Sequence, residues 1–158
     1  MNYVKVLELG LAIILASIMG YSIYSQYTES FLQEDPMIMD LARTVNSFIQ
    51  NKKEWTGELV SLNKGNLFDH ISIYKGNKSY TLNKEKIYLC LTDENGNYYS
   101  KNTLMYVLIH EIAHVISDSV GHTGEFHTTF EQLQDEAAKA GIYDPSIPIE
   151  SNYCGYET

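Results

Sequence analysis

The segment best suited to chemistry is His110-Glu111-Ile112-Ala113-His114, an HExxH pattern. Two histidines four residues apart lie on one face of a helix, about one turn apart, so both imidazoles can reach one metal ion. Glu111 projects from nearly the same face and can take a proton from a water molecule that the metal activates. The pattern therefore predicts one zinc ion held by His110 and His114, with Glu111 as general base. A surface helix that merely contains two histidines is the alternative.

A catalytic zinc site needs a third protein ligand and one position left for water. We expect His122 to be this ligand, because Gly121 breaks the chain after the motif and lets it turn back over the metal. Glu131 and His127 are the alternatives. The His and carboxylate candidates downstream of the motif are His122, Glu125, His127, Glu131 and Asp135.

Further polar residues near the motif are candidates for supporting roles. His127 would lie at the rim of the cleft and touch the substrate, and Asp118 would orient a ligand imidazole if its side chain turns towards the metal. Tyr153 or Tyr156 would donate to the oxyanion if the end of the chain folds over the cleft, although tyrosines more often serve packing. His70, at the start of a predicted strand, is expected to be structural.

Helical periodicity surrounds the motif. Apolar residues at helical spacing predict a helix over residues 104–117, and a second helix over 123–140 that Gly141 closes. Asp35 and Pro36 predict the start of an earlier helix over 36–51. The core-facing stripe of the motif helix is predicted to be Leu104, Leu108, Ile112, Val115 and Ile116.

Short β-type runs separated by turn residues lie between these helices. The predicted strands cover residues 58–62, 68–75, 79–82 and 86–92. The last of them precedes the motif helix, as the substrate-binding edge strand does in the zincins that the HExxH pattern resembles, and an extended peptide would add to it through main-chain hydrogen bonds. The pattern as a whole predicts an α+β fold with a short mixed or antiparallel sheet.

The N-terminus is hydrophobic. Residues 9–24 carry no charge, and the wider run 6–27 is long enough, at about 1.5 Å per residue, to cross a hydrocarbon core of roughly 30 Å. We expect a membrane anchor and linker over 1–30 and one domain over 31–158. Charges flanking the span favour a single-pass protein whose domain is lumenal, external or virion-associated. A cleaved signal peptide and a buried helix are the alternatives.

The composition excludes one class of partner. The 158-residue chain has a formal net charge of −9 and a computed pI near 4.9, and residues 102–158 hold nine carboxylates against one lysine. Nucleic acid is therefore an improbable ligand, because phosphate contacts need clustered cations. Cys90 and Cys154 have no metal-binding spacing. They predict either two unlinked thiols, which we favour, or a single bridge in an oxidising compartment.

The segment over residues 86–130 resembles the SprT-like and WLM metallopeptidases, which are small zincins also called minigluzincins. The likeness rests on His-Glu-Ile-Ala-His, on His122-Thr-Gly-Glu-Phe126 and on Phe130 one turn later. In that group a histidine in an H-G/T-x-E-F type segment is the third zinc ligand, which implies that role for His122. The chain differs from the DNA-repair members, since it carries no basic or zinc-ribbon extension after this segment.

A closer likeness, over about residues 55–156, is to small uncharacterised proteins encoded by large DNA viruses. The shared features are a strand like IYLCL, a loop like DENGNYY, and the segments TLMYVLIHEIAHV, GHTGEFH and NYCGY. Together these patterns predict a membrane-anchored zinc peptidase acting on a protein or peptide. The alternative is a catalytically inactive zinc-binding or protein-interaction module, as a virion or membrane component.

Overall fold

A computed structural model describes residues 3–32 and 35–155, without the side chains of residues 4–8 and 26–32. The predicted α+β class is confirmed: three short strands follow one another along the chain, with helices before and after them. The elements are α1 (Tyr3–Leu32), α2 (Pro36–Asn51), 3-10 helices at Gly57–Asn63 and Leu67–Asp69, β1 (Ser72–Lys75), β2 (Tyr80–Leu82), β3 (Lys86–Leu89), α3 (Lys101–Ile116), α4 (Gly124–Lys139) and a last turn at Tyr153–Gly155.

Helix α2 begins as its sequence predicts. The Asp35 side chain accepts a hydrogen bond from the backbone N–H of Met37, and Pro36 occupies the first turn, where its missing N–H costs nothing. The apolar residues that recur along α2 are buried, so the helix packs one face on the core and shows the other to solvent. These buried residues are Ile38, Leu41, Val45 and Ile49.

The three strands form one mixed sheet in the order β1-β3-β2, with β3 parallel to β1 and antiparallel to β2. The expectation that the strand over residues 86–92 lies at an edge is therefore wrong, because β3 pairs on both sides. β2 is the edge strand on the side of α3. Between β2 and β3, Asn83 and Lys84 both adopt positive φ, and the Glu85 N–H donates to Leu82 O at 3.1 Å to close the turn.

Two of the predicted strand segments are at least partly helical. Residues 58–62 lie in the 3-10 helix Gly57–Asn63, where Leu59 and Leu62 are buried. A spacing of three residues places both leucines on one face of a 3-10 helix, and this spacing does not occur in an alternating strand. The first part of the 68–75 segment is a 3-10 turn capped by Asn66, and the strand begins only at Ser72.

The core lies between the sheet and the helices. Alternate residues at the end of β3 and just beyond it, Ile87, Leu89 and Leu91, are fully buried, as their alternation predicts. They belong to the same hydrophobic cluster as the buried residues of α3. Fully burying one such side chain contributes roughly 1.5–3 kcal/mol, so the strand and the helix hold each other in place.

The N-terminal helix does not fit the predicted membrane span. In the part of the chain that the structure describes, no helix is long and apolar enough to cross a bilayer. Residues 6–8 and 26–27 of the expected span have side chains outside the description. The predictions of a transmembrane helix and of a single-pass membrane location are therefore wrong.

Cys90 and Cys154 form a disulfide across 64 residues of chain, with Cα atoms 6.3 Å apart. The expectation of two unlinked thiols, which the sequence analysis favoured, is wrong. The pairing depends on the chain end returning to the sheet, which the spacing of two cysteines does not reveal. The Tyr99 hydroxyl also accepts from the Cys154 N–H at 2.9 Å and donates to Asn152 O at 3.3 Å. The end of the chain is thus held beside β3.

Candidate metal centre

Helix α3 positions the HExxH residues, and it begins at Lys101, three residues before the predicted start at residue 104. The Ser100 hydroxyl accepts from the Thr103 N–H at 3.2 Å and so caps the first turn. In the predicted core stripe Leu104, Leu108 and Ile112 are fully buried, while Val115 and Ile116 are partly buried. The opposite face carries His110, Glu111 and His114, as predicted.

The loop after α3 brings His122 back over the helix. The Ser117 hydroxyl donates to Ala113 O at 2.7 Å and ends the helix, and Gly121 takes a φ of +81°, which favours glycine. Glu125 accepts from the Asp118 N–H at 2.6 Å and from the Ser119 N–H at 3.2 Å. These bonds lower the pKa of Glu125. Glu125 therefore holds this loop in place through two backbone hydrogen bonds. This role was not predicted from the sequence.

Three imidazoles converge at one point. Nε2 of His122 lies 3.1 Å from Nε2 of His110 and 3.2 Å from Nε2 of His114. Ligand nitrogens about 2.05 Å from a tetrahedral zinc ion are about 3.3 Å apart, so the spacing fits one ion. Among the described residues, His110, His114 and His122 form the group of potential ligand side chains that lie close enough together to hold one metal ion.

The protonation states of the histidines suit metal binding. Burial first, and then the charges of the neighbouring histidines, lower the pKa of His110 to about 4. The pKa of His114 is also lowered, first by burial and then by His122 and Lys84. Because a metal ligand must be the neutral imidazole, these shifts favour metal over proton at neutral pH.

An aromatic floor supports the three rings. Phe126, which is 1% exposed, stacks on the His114 ring at 4.1 Å between centroids and lies 4.9 and 4.8 Å from the rings of His110 and His122. Phe130 lies 5.0 Å from the ring of His110. Both phenylalanines come from the buried face of α4. This helix contributes packing that restricts the imidazoles rather than a ligand.

Glu111 is a buried acid beside the histidines. It is 5% exposed, and burial raises its pKa to about 7 although a hydrogen bond from Thr81 acts in the opposite direction. The Thr81 hydroxyl lies 2.8 Å from Oε2 of Glu111 and 3.0 Å from its backbone oxygen. Thr81 was not predicted from the sequence, since a threonine in a short strand carries no signal that it will meet the motif helix.

Several sequence candidates lie away from the cluster. His127 is exposed on α4 with its ring 6.3 Å from that of His122, while Glu131 and Asp135 are exposed one and two turns further on. The Asp118 carboxylate is exposed, and within the described residues no hydrogen bond joins it to a histidine. His70 is exposed beside β1 and contributes nothing to the site.

Tyr153 reaches the edge of the site as a packed residue. Its hydroxyl donates to Cys90 O at 2.6 Å and lies 2.7 Å from the Ser79 hydroxyl, and burial raises its pKa to about 12. Because its proton is held by a backbone carbonyl, Tyr153 is poorly placed to donate to an oxyanion. The alternative tyrosine, Tyr156, lies outside the described residues.

An open cleft of about 900 Å³ gives access to Glu111 and to the three histidines. Strand β2 forms one wall, α3 forms the floor, and the loop with Val120 and Gly121 forms the far rim. Val107 and Tyr153 line the end nearest the start of α3. The arrangement can hold a metal ion, leave it accessible and place an acid beside it.

Comparison with known proteins gives relatives from viruses. The chain is 36% identical over 143 residues to "Uncharacterized protein 136R" of Invertebrate iridescent virus 6, an alignment that covers 84% of this chain and 80% of the relative. It is 40% identical over 127 residues to "Uncharacterized protein 042R" of Invertebrate iridescent virus 3, covering 78% of this chain and 80% of the relative.

No protein-family model matches the sequence, and no solved structure matches it significantly. The two viral relatives exceed 30% identity, and each alignment covers most of both chains. The chain belongs to the same family as proteins 136R and 042R of these invertebrate iridescent viruses.

Proposed function

We propose that this protein is a zinc-dependent peptidase with His110, His114 and His122 as ligands and Glu111 as general base. The observation that carries the proposal is the convergence of three ring nitrogens, with Nε2 of His122 3.1 and 3.2 Å from Nε2 of the other two histidines, beside a buried carboxylic acid in a cleft open to solvent. The resemblance to SprT-like and WLM metallopeptidases points to the same activity. The names of the two viral relatives assign no activity to them.

Zinc in this site would lower the pKa of water to about 7 and polarise the carbonyl to be attacked. Glu111 would take the proton of the attacking water on a carboxylate oxygen and pass it to the leaving amine. Without metal, burial raises the pKa of Glu111 to about 7, and the positive charge of a bound zinc ion would lower it, which favours the carboxylate that must accept the proton. Phe126 would keep the three imidazoles oriented through both steps.

The edge strand β2 offers a place for an extended peptide. One side of β2 pairs with β3, and the other faces the cleft, so a substrate backbone would add there through main-chain hydrogen bonds. This strand takes the role that the sequence analysis gave to residues 86–92. Affinity from main-chain bonds depends little on substrate sequence, so side-chain preference would come from the cleft walls.

The walls favour an apolar side chain next to the scissile bond. Thr81 contacts Glu111, and Lys84, which follows β2, binds the backbone oxygens of Ser117 and Asp118 at the end of α3. Later residues of one segment thus meet later residues of the other, so β2 and α3 run in the same direction. A peptide antiparallel to β2 would place the residue after the scissile bond towards the start of α3.

Val107, which is 9% exposed, and the ring of Tyr153 line that end of the cleft. The Tyr153 hydroxyl is already bonded to Cys90 O and Ser79, so this wall presents mainly apolar surface. A leucine-sized side chain would be favoured there over a charged one, because burying an unpaired charge is costly.

The first experiment combines metal analysis with cleavage of casein and of a peptide library. One zinc per chain and cleavage that E111Q abolishes while retaining zinc would support the peptidase. Bound zinc without cleavage by the wild-type protein would contradict it and favour a binding module on the same fold. Absence of bound zinc after reconstitution would contradict both functions.

A further inference from the structure

Thr81 is a polar contact to the general base that comes from outside the motif helix. Its hydroxyl lies within hydrogen-bond distance of Oε2 of Glu111 and of the Glu111 backbone oxygen. Within the described residues, no hydrogen bond reaches the other carboxylate oxygen, Oε1. The two oxygens of the acid therefore have different surroundings.

The strand that carries Thr81 is anchored at both ends. Before it, the Ser79 hydroxyl accepts from the Cys90 N–H at 3.0 Å and bonds Tyr153. After it, Lys84 donates to the backbone oxygens of Ser117 and Asp118 at the end of α3. A hydroxyl on so constrained a segment has a defined position relative to the helix.

The direction of the Thr81 side chain follows from alternation along β2. Tyr80 and Leu82 are 45% and 43% exposed, and the Tyr80 ring stacks on Tyr88. Because adjacent residues of a strand point to opposite faces, Thr81 faces α3 while its neighbours point away from it. The strand that would pair with a peptide thus also touches the general base.

We propose that Thr81 is a positioning residue, which holds Oε2 of Glu111 so that Oε1 is the oxygen directed to the water and the leaving amine. This inference rests on the proposed peptidase function. A glutamate has three rotatable side-chain bonds, and holding one oxygen restricts the orientations of the other. In this role the Thr81 side chain contacts Glu111 and not the substrate or the metal. Its effect is exerted entirely through Glu111.

The experiment compares T81V with T81S in the zinc-loaded protein. Valine keeps the size and branching of threonine and removes the hydroxyl, whereas serine keeps the hydroxyl. We expect T81V to lower kcat by about 10- to 100-fold, the cost of a displaced catalytic group, with KM and zinc affinity changed less than about twofold. T81S should restore kcat to within about threefold of wild type.

A double-mutant cycle with E111Q separates positioning from a general effect on stability. If Thr81 acts through the carboxylate, T81V should not further lower the residual rate of E111Q. Rates are expressed per bound zinc, so an unfolded fraction does not count against the variant. Wild-type kcat in T81V, equal losses in T81S and T81V, or additive losses in the cycle would each overturn the proposal. Failure of the wild-type protein to cleave any peptide would instead overturn the proposed function.

Discussion

Helices α3 and α4 have the same length and similar chemistry but different surroundings. Each has 16 residues and carries histidine and acidic side chains on one face. In α3 the acid, Glu111, is 5% exposed, and β2 and the His122 loop converge on it. In α4 the corresponding types, His127, Glu131 and Asp135, lie on the exposed face. Histidine and acidic residues on one helical face therefore form a site only where other elements pack over them.

The two helices also differ in how they serve the cluster. α3 supplies two of the three imidazoles and the acid, whereas α4 supplies the ring of Phe126 on which they rest. The exposed acids of α4 keep that face in water, and its buried face holds the site in shape. If α3 supplies the reacting groups and α4 only their packing, substitutions on the polar face of α4 should leave activity unchanged. Equivalent substitutions on α3 should lower it.

The largest difference is expected for the two glutamates. E111Q should lower peptide cleavage by about 10²- to 10⁴-fold, the usual contribution of general acid–base catalysis, while zinc content stays at the wild-type level. E131Q, the matched change on α4, should cleave at the wild-type rate. Steady-state rates with metal analysis test both, and comparable activity in the two variants would remove the distinction between the helices.

The histidines give the second test. H122A removes a ligand and should weaken zinc binding by more than about 100-fold. The reason for this bound is that loss of a residue that only supports a ligand already costs about 10- to 100-fold in affinity. H127A should bind zinc as the wild type does, because its ring lies 6.3 Å from that of His122 on the exposed face. Competition with a chromophoric chelator measures both affinities. The reverse order would move the third ligand to α4.

The third test uses the pH dependence of unfolding in protein stripped of metal. Burial raises the pKa of Glu111 from 4.5 to about 7, so its contribution to stability is complete below pH 4.5 and is lost as pH rises through 7. E111Q stays neutral. Its free energy of unfolding relative to wild type should therefore rise by about 3 kcal/mol between pH 4.5 and 8.

E131Q is the control for this measurement and should follow wild type at every pH. The lowered pKa of His110 has the opposite effect, because its contribution to stability is lost as pH falls through 4. This effect largely cancels in the comparison, since E111Q and the wild type both retain His110. Denaturant titrations at a series of pH values give the difference. A difference between E111Q and wild type that does not vary with pH would mean that Glu111 is not buried in solution.

The smallest effect is expected at the cleft wall. V107T places a hydroxyl where the apolar side chain of the substrate would lie, and it should lower the preference for leucine over serine after the scissile bond by about 10-fold. D135N, on the exposed face of α4, should leave that preference unchanged. The ratio of kcat/KM values for paired peptides measures it. An unaltered preference in V107T would place the apolar pocket elsewhere.

Local features of the fold were predictable where one periodicity dominates. The bounds of α2 follow from the Asp35 cap and its amphipathic pattern, and those of α3 and α4 lie within a few residues of the predicted ones. Segments of two or three turns were less predictable. Residues 58–62 are too few for a periodicity to be distinguished with certainty, and burial of Leu59 and Leu62 by the rest of the molecule favours the 3-10 helix.

Long-range relations could not be read from spacing. The order β1-β3-β2, which makes β2 the strand beside the site, depends on which strands pair, and so does the meeting of Thr81 with Glu111. The Cys90–Cys154 bridge likewise depends on where the end of the chain packs. For the hydrophobic N-terminus, the uncharged run predicted a transmembrane helix. Within the described residues, however, no helix is long and apolar enough to cross a membrane.

The sequence by itself determined that His110, Glu111 and His114 share one helical face, since a period of 3.6 residues places them there whatever surrounds the helix. It also made His122 the first choice for the third ligand, through the break at Gly121. Only the tertiary structure decided that the three nitrogens meet, that Phe126 supports them and that Thr81 reaches the acid. The reason is physical: a helix sets the order of its own side chains, but burial, pKa and hydrogen-bond partners come from the elements that pack against it.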